Sequence, residues 1–344
     1  MEAVEASQCL PARVQAGFRR KPLIAALDRL AAGTSPIGLV LGSGFECDPR
    51  MLAHLGEHFR LIGNPPDVVR RAKDPTAFFG ALTKLGIRHP ETQLVPPAAG
   101  DGWLMKRIGG SGGLHIHACP PAPRLDPRRY FQRRVDGEPL SVLAVIGRTG
   151  PVFAFTRQWC APLPRRPYRY GGATGPITPE PDLEARLIDI SRATAESLGL
   201  IGLVSLDFLI DDGEPILIEV NPRPGASLDV LDDAEGNLFR SHVEASRGGD
   251  AAGLLLARWQ PPKARAAAYL YADRGPIEIA PGLDWPHWTA DRPQPGSRIL
   301  KHQPLATVLA DSASPDEAER LCRHRLGLLE NLLYESANGK GTPT

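Results

Sequence analysis

The stretch "LIEVNPRPGASLD", residues 217–229, places Glu219, Asn221 and Arg223 at alternate positions, separated by Val220 and Pro222. Side chains two apart on a strand share a face, so an anion, an amide and a cation are directed to one place. A charge buried there without a partner is strongly unfavourable, which marks the pattern as a ligand site rather than a core. Just upstream, "VSLDFLIDDGEPILIEV" reads as a hairpin. With residues 212–214 as a three-residue loop, Asp211 pairs with Pro215 and Asp207 falls opposite Glu219. Asp207, Glu219 and Asn221 then share one face. Two carboxylates and an amide oxygen are hard donors of the kind Mg²⁺ accepts while keeping positions for water and phosphate. A hairpin with solvent-facing acids is the plainer alternative, but it leaves the following "NPRPG" unexplained. Arg223, held past the strand by flanking prolines, is placed to face an anion beside the metal.

A second constellation is "KRIGGSGGLHIH", residues 106–117. Lys106 ends a strand. Gly109, Gly110, Ser111, Gly112 and Gly113 make a turn free of Cβ crowding, whose N–H groups could cradle phosphates. It is not a Walker A loop, because no Gly-Lys-Ser/Thr closes it and a strand follows it. An ordinary glycine-rich hairpin turn fits the same residues. His115 and His117 read as structural, since no further metal ligand stands at a suitable spacing. In "FQRRVDGEPLSV", residues 131–142, Val135 could pack an apolar ring and Glu138 could bind a diol. The segment alone is a turn around Asp136-Gly137. Lys73, just before Asp74, is unremarkable by itself. Gly42 and Gly44 echo a dinucleotide fingerprint, but Cys47 stands where its third glycine belongs, which rejects that fold.

The elements that must position these groups follow from the pattern along the chain. Residues 37–47 read as a buried strand running into a glycine turn, 49–59 as a helix, 60–64 as a second strand, and 74–87 as a helix with Asp74 as N-cap. This alternation predicts an α/β layer. After a Pro-rich break come strand, glycine loop and strand from residue 103, two linked strands over 129–147, and another strand over 150–159. "APLPRRPYRYGGATGP", residues 161–176, reads as a long loop, and its Arg165–Gly175 part, like Gly109–Gly113, is expected to be mobile. Residues 181–200 form an amphipathic helix, apolar at Leu183, Leu187 and Ile190. From about Lys263 the pattern gives strands such as "AAYLYA", a C-terminal helix over 315–333 and a disordered tail. Three parts are expected: 1–93, 94–262 and 263–344.

With 344 residues, a hydrophobic fraction of 42% and a net charge of +1, the chain is an ordinary globular composition without a broad nucleic-acid footprint. No apolar run approaches the ~20 residues that span a bilayer, and the first 21 residues lack an apolar signal core. Cys9, Cys47, Cys119, Cys160 and Cys322 are dispersed, which suits a reducing cytoplasm. A soluble cytoplasmic protein with no membrane partner is expected; the oligomeric state is open.

Taken in order, a lysine, a lysine with a glycine loop, a strand-link-strand with Glu138, and then Asp207 followed by Glu219-x-Asn221-x-Arg223 resemble the ATP-grasp family from about Lys73 to Gly225. The resemblance implies an ATP-grasp fold of the α/β (α+β) class behind an N-terminal α/β domain. It implies ATP and Mg²⁺ as cofactors, with Mn²⁺ as a substitute. Lys73 and Lys106 would contact phosphates, and Gly109, Gly110, Ser111, Gly112 and Gly113 would be the phosphate lid. Gln132 and Val135 would line the adenine pocket, with Arg133 between them also binding nucleotide, and Glu138 would hold the ribose. Asp207, Glu219 and Asn221 match the metal ligands, Glu219 bridging two ions. Arg223 matches the arginine of biotin carboxylase-like members. The D-alanine ligase branch carries an arginine two residues before the first acid, where this chain has Ser205, so charge stabilisation would fall to Arg223. The family's ligases turn a carboxylate into an acyl phosphate that an amine attacks. "RYGGATGPI" and "ADRPQPGSRILKHQPLATVLA" look similar to the tyramine–glutamate ligase branch and to bacterial ATP-grasp proteins of tetrahydromethanopterin- or methylofuran-linked one-carbon metabolism. That likeness implies glutamate or a glutamyl chain as the carboxylate, met by Arg165, Arg166 and Arg169. Carboxylation, or nucleotide sensing without turnover, is the competing reading.

Overall fold

Short parallel strands between helices open the computed structural model, which describes residues 18–148 and 150–337. Here α1 (Arg20–Ala31), β1 (Leu39–Val40), α2 (Pro49–His58) and β2 (Leu61–Ile62) follow in order, with Leu39 opposite Leu61 in a parallel pair. The expected alternation is present, although each strand is only two residues long, and α1 is an element the pattern does not predict. Next, α3 (Pro66–Lys73) and α4 (Pro75–Lys84) meet at Asp74, which ends one helix and caps the other by accepting from the Ala77 N–H at 2.9 Å. Lys73 is therefore anchored at a tight helix–helix junction.

An antiparallel four-stranded sheet follows, built from β3 (Thr92–Gln93), β4 (Trp103–Arg107), β5 (His117–Ala118) and β6 (Arg129–Arg133) in the order β3-β6-β4-β5. The chain then runs through β7 (Glu138–Ile146), β8 (Val152–Cys160), β9 (Tyr170–Gly175), α5 (Pro181–Leu198), β10 (Gly202–Asp211) and β11 (Glu214–Asn221). After these come α6 (Ser227–Leu231), α7 (Asn237–Ser246), α8 (Ala251–Arg258), β12 (Arg265–Tyr271) and β13 (Ile277–Glu278). The described chain closes with β14 (Thr289–Ala290), β15 (Arg298–Ile299), β16 (Pro304–Asp311) and α9 (Pro315–Ala337). Eight of these strands form one antiparallel sheet in the order β11-β10-β7-β8-β9-β12-β16-β14. The tail expected to be disordered lies outside the described residues, as does Cys9; Cys47, Cys119, Cys160 and Cys322 are free thiols.

Period-two patterning decides what each face of the large sheet buries. On β7, Val142 and Ala144 pack with Phe78, Leu82, Leu187 and Leu198 of α4 and α5, while Leu143 and Val145 pack with Val230, Leu231 and Leu238 of α6 and α7. Farther along, α9 covers β12 and β16 through Cys322, Leu329 and Leu333.

Two local readings need correction. Residues 170–175 are not part of a long mobile loop: they form β9, hydrogen-bonded between β8 and β12, with Gly171 to Gly175 buried. Its glycines have little intrinsic strand preference, but pairing on both edges overrides propensity. The β10–β11 turn is also shorter than expected. Asp211 pairs with Glu214, and only Asp212 and Gly213 turn, both at positive φ (49° and 77°), as a type I′ turn requires. A bulge then inserts Ile218 between the pairs Phe208–Leu217 and Asp207–Glu219. That extra residue restores the facing of Asp207 and Glu219.

Candidate functional site

A cavity of about 480 Å³ lies between the two larger sheets, its walls including Lys106, Gly112, Val135, Asp207, Glu219 and Arg223. Its size is that of a small-ligand or cofactor pocket. The bulge explains how β11 serves it: Leu217 and Val220 both enter the core shared with α4 and α5, while Ile218, Glu219 and Asn221 line the cavity. One inserted residue moves the polar set to the opposite face from that of an unbroken strand.

The acids are tightly wired. Asp207 Oδ1 accepts from Ser141 Oγ at 2.7 Å and from Gln158 Nε2 at 3.2 Å, and its Oδ2 accepts from Asn221 Nδ2 at 2.9 Å. Lys73 Nζ donates to Glu219 Oε1 at 2.6 Å and to Asn221 Oδ1 at 2.8 Å. Burial and the neighbouring Glu219 charge push the Asp207 carboxyl above its usual range. Burial acts the same way on Glu219, but Lys73, His115 and Lys106 together outweigh it and hold this carboxyl below its usual range. Lys106 is 4% exposed; burial lowers its ammonium pKa, against the opposing pull of Glu219. The donor set of two carboxylates and one amide oxygen, flanked by two buried ammonium groups, fits a hard divalent ion carrying a polyphosphate.

Above the acids, the glycine loop is clamped on two sides. A Cβ on Gly109 would overlap the Glu46 carbonyl oxygen and Cys47 Cα, and one on Gly113 would overlap the Tyr168 carbonyl oxygen. Both residues also sit at positive φ, 67° and 71°, so only glycine is comfortable there. The Tyr170 N–H donates to the Gly112 carbonyl at 3.0 Å. Beneath the loop a smaller hollow is shared by Lys73, Gly109, Gly110, His115 and Glu219. His115 Nδ1 is buried there without a hydrogen-bond partner, and burial lowers the ring pKa to about 4.

The residues singled out from sequence thus fall into distinct places. Lys106, Ser111, Gly112, Gly113, Gln132, Arg133, Val135, Asp207, Glu219, Asn221 and Arg223 line the main cavity, and Lys73, Gly109 and Gly110 reach Glu219 from the adjoining hollow. Glu138 does not join them: it is exposed at the start of β7, where Asp136, Gly137 and Pro139 take the lining positions. Arg169 is also elsewhere. It is 2% exposed, gives Asp273 two hydrogen bonds (2.9 and 2.7 Å), gives the Ala161 carbonyl one (2.7 Å), and stacks 3.9 Å from the Tyr271 ring centroid. Every face of that guanidinium is committed to holding β9 and β12 together.

Sequence reasoning missed Glu46, Ser141 and Gln158, and set His115 aside as structural. Glu46, 6% exposed, accepts from Arg223 Nε at 2.7 Å and from the Gly44 N–H at 2.8 Å. Its burial raises the carboxyl pKa, but Arg223 and Lys73 more than reverse this. For Ser141 and Gln158 the signal available was polarity inside strands, since buried polar groups are there to be hydrogen-bonded.

Comparison with known proteins agrees with this geometry. Residues 72–227 match the ATP-grasp domain family. The chain is 24% identical over 229 residues to the carbamoyl phosphate synthase large chain of Myxococcus xanthus, covering 58% of this chain and 21% of that one. It is 23% identical over 265 residues to an uncharacterized protein of Methanocaldococcus jannaschii, covering 73% and 63%. It therefore spans about a fifth of the former relative's length and less than two thirds of the latter's. In fold it resembles the biotin carboxylase domain of Hydrogenobacter thermophilus 2-oxoglutarate carboxylase, with a TM-score of 0.68, 13% identity, and 93% of this chain and 83% of that chain covered. It also resembles an L-amino acid ligase from Bacillus licheniformis, with a TM-score of 0.64, 12% identity, and 90% and 83% covered. The α/β architecture is the one the sequence resemblance implies. No helix among the described residues is long and apolar enough to cross a membrane.

Proposed function

We propose that this protein is an ATP-dependent carboxylate–amine ligase that forms an amide through an acyl phosphate. The observation that carries the reading is the convergence of Asp207, Glu219, Asn221, Lys73, Lys106 and Arg223 around one pair of connected cavities. ATP and Mg²⁺ are the cofactors. Asp207, Glu219 and Asn221 would hold Mg²⁺, or Mn²⁺ in its place, which neutralises phosphate charge during transfer. Lys73, Lys106 and the N–H groups of Gly109, Gly110, Ser111, Gly112 and Gly113 bind the phosphates. Gln132, Arg133 and Val135 border the base, with Ile218 of the bulge as an apolar wall. At the ribose end, Asp136 faces the cavity where Glu138 does not.

In the first step a carboxylate oxygen attacks the terminal phosphorus of ATP and ADP leaves. In the second, an amine attacks the acyl carbon, phosphate leaves, and the surplus amine proton passes to phosphate or solvent. Arg223 steadies the negative charge that gathers on the transferring group. Both substrates are small molecules. The carboxylate proposed is glutamate, or a glutamyl chain on a one-carbon carrier of the methanofuran, methylofuran or tetrahydromethanopterin type. Its support is the likeness of "RYGGATGPI" and the C-terminal stretch to that branch. The four cysteines among the described residues, all free thiols, agree with a cytoplasmic location.

The test is ADP and phosphate release in a matrix of carboxylates and amines, with glutamate in every row. Turnover that needs both substrates supports the ligase. Full ADP release with a carboxylate or bicarbonate and no amine would assign another ATP-grasp chemistry, and binding without any turnover would assign a sensor.

A further inference from the structure

We propose that Lys73 bars the metal-binding oxygens to a free cation and yields them only to a nucleotide, so that Mg²⁺ and ATP bind as a coupled pair. The proposal rests on the ATP reading above and deepens it.

Its basis is the wiring of one ammonium group. Lys73 Nζ sits 2.6 Å from Glu219 Oε1 and 2.8 Å from Asn221 Oδ1. These are two of the three residues that would bind the ion, and Oδ1 is the only acceptor the Asn221 amide possesses. The third, Asp207, is tied to the same amide through Nδ2 at 2.9 Å. A metal cannot take Asn221 Oδ1 in full without disturbing Lys73. The lysine side chain is 6% exposed, so little water screens the competition.

Charge balance points the same way. Asp207 and Glu219 bring two carboxylates, and Lys73 and Lys106, both buried, bring two ammonium groups. A divalent ion entering alone would add two positive charges beside two ammonium groups in a poorly screened site, where like charges repel strongly. A polyphosphate entering with the metal reverses the sign of that addition and offers Lys73 a new acceptor. The side chain suits the exchange. A lysine is a compact charge on a flexible four-carbon stem, and here its backbone is fixed at the α3–α4 junction while its head is free to change partners. Its place in the last turn of α3 leaves the ammonium favoured by the helix carbonyls throughout. Lys73 is then more than a phosphate contact: it is the group through which nucleotide and metal sense one another. By reciprocity, whatever factor nucleotide adds to metal affinity, metal adds to nucleotide affinity.

The test is Mn²⁺ binding followed by the loss of its free-ion EPR signal, with and without a non-hydrolysable ATP analogue. Wild type is compared with Lys73→Met, which removes charge and donor, and Lys73→Gln, which keeps a donor without charge. In wild type the analogue should tighten Mn²⁺ binding at the upper end of the ~5- to 150-fold range of typical couplings. In Lys73→Met, Mn²⁺ alone should bind about tenfold tighter than to wild type, and most of the coupling should vanish. Lys73→Gln should behave like Lys73→Met and decides the matter if the methionine protein does not fold. The proposal is overturned if wild type binds Mn²⁺ equally well with and without the analogue, or if the folded variants bind Mn²⁺ alone no better than wild type does. A wild-type protein that binds no nucleotide at all overturns the ATP reading and this proposal together, whereas normal nucleotide binding with unchanged Mn²⁺ affinity in the variants removes only the proposal.

Discussion

Replacing Arg223 by lysine separates charge from shape at the centre of the site. Arg223 Nε donates to Glu46 Oε1 at 2.7 Å and Nη1 donates to the Pro224 carbonyl at 3.1 Å, while the side chain also borders the main cavity. The guanidinium therefore grips Glu46 with one edge and presents another to the reacting groups, which a single ammonium cannot do. With Glu46 only 4% exposed at its side chain, the lysine should stay on that buried carboxylate rather than leave it unpaired. Fold stability should fall only by the Pro224 bond and some packing, about 1–2 kcal/mol. The cavity, however, loses its oriented cation, and kcat should drop roughly 100- to 1000-fold, the scale for one preorganised charge-stabilising donor. ATP affinity should change little, because Lys73, Lys106 and the metal still hold the phosphates. Measuring kcat, ATP Kd and Tm on this one protein is sufficient. A marked loss of Tm with near-normal kcat would refute the reasoning and leave Arg223 as a structural partner of Glu46.

Asp207→Asn and Glu219→Gln are isosteric and should abolish phosphate release without unfolding the protein; wild-type rates in Glu219→Gln would remove the metal assignment. Glu46 titrates below its ordinary 4.5 because Arg223 and Lys73 outweigh the cost of its burial. It therefore contributes stability above that pH and loses it as pH falls through the depressed folded value. The Tm difference between wild type and Glu46→Gln should be full at neutral pH and close on acidification below about 4.5, and a gap that stays constant into acid would contradict the pairing. Arg169→Ala removes two hydrogen bonds from Asp273, which keeps His302, and the stack from Tyr271, and should cost about 2–4 kcal/mol with ATP and carboxylate affinities unchanged in the folded protein. Weakened carboxylate binding at an unaltered Tm would return Arg169 to the substrate site.

The legible parts of the chain were those where local pattern and tertiary role agree. Asp74 reads as a cap and is one. The hairpin of Asp207, Glu219 and Asn221 was readable as a ligand site because its polar residues sit where a core would not tolerate them. β9 was illegible because "RYGGATG" has the composition of a loop and becomes a strand only through partners ten or more residues away on one side and about ninety on the other. Glu46 was hidden for a related reason: its partner Arg223 lies 177 residues along the chain. Arg169 misled because an arginine in a Pro- and Arg-rich segment looks available to an anionic substrate until Asp273 and Tyr271 are brought to it.

The β10–β11 hairpin has a consequence for how such a site can vary between lineages. A two-residue turn plus one bulged residue produces the same offset between Asp207 and Glu219 as a three-residue turn on a regular strand. Length can thus migrate between the tip and the strand with the facing carboxylates undisturbed, and deleting Ile218 alone would leave Leu217 and Val220 inward and Glu219 and Asn221 outward. A related hairpin one residue shorter or longer at its tip is therefore not evidence of a lost site; that Asp207 and Glu219 face each other is what selection has to keep.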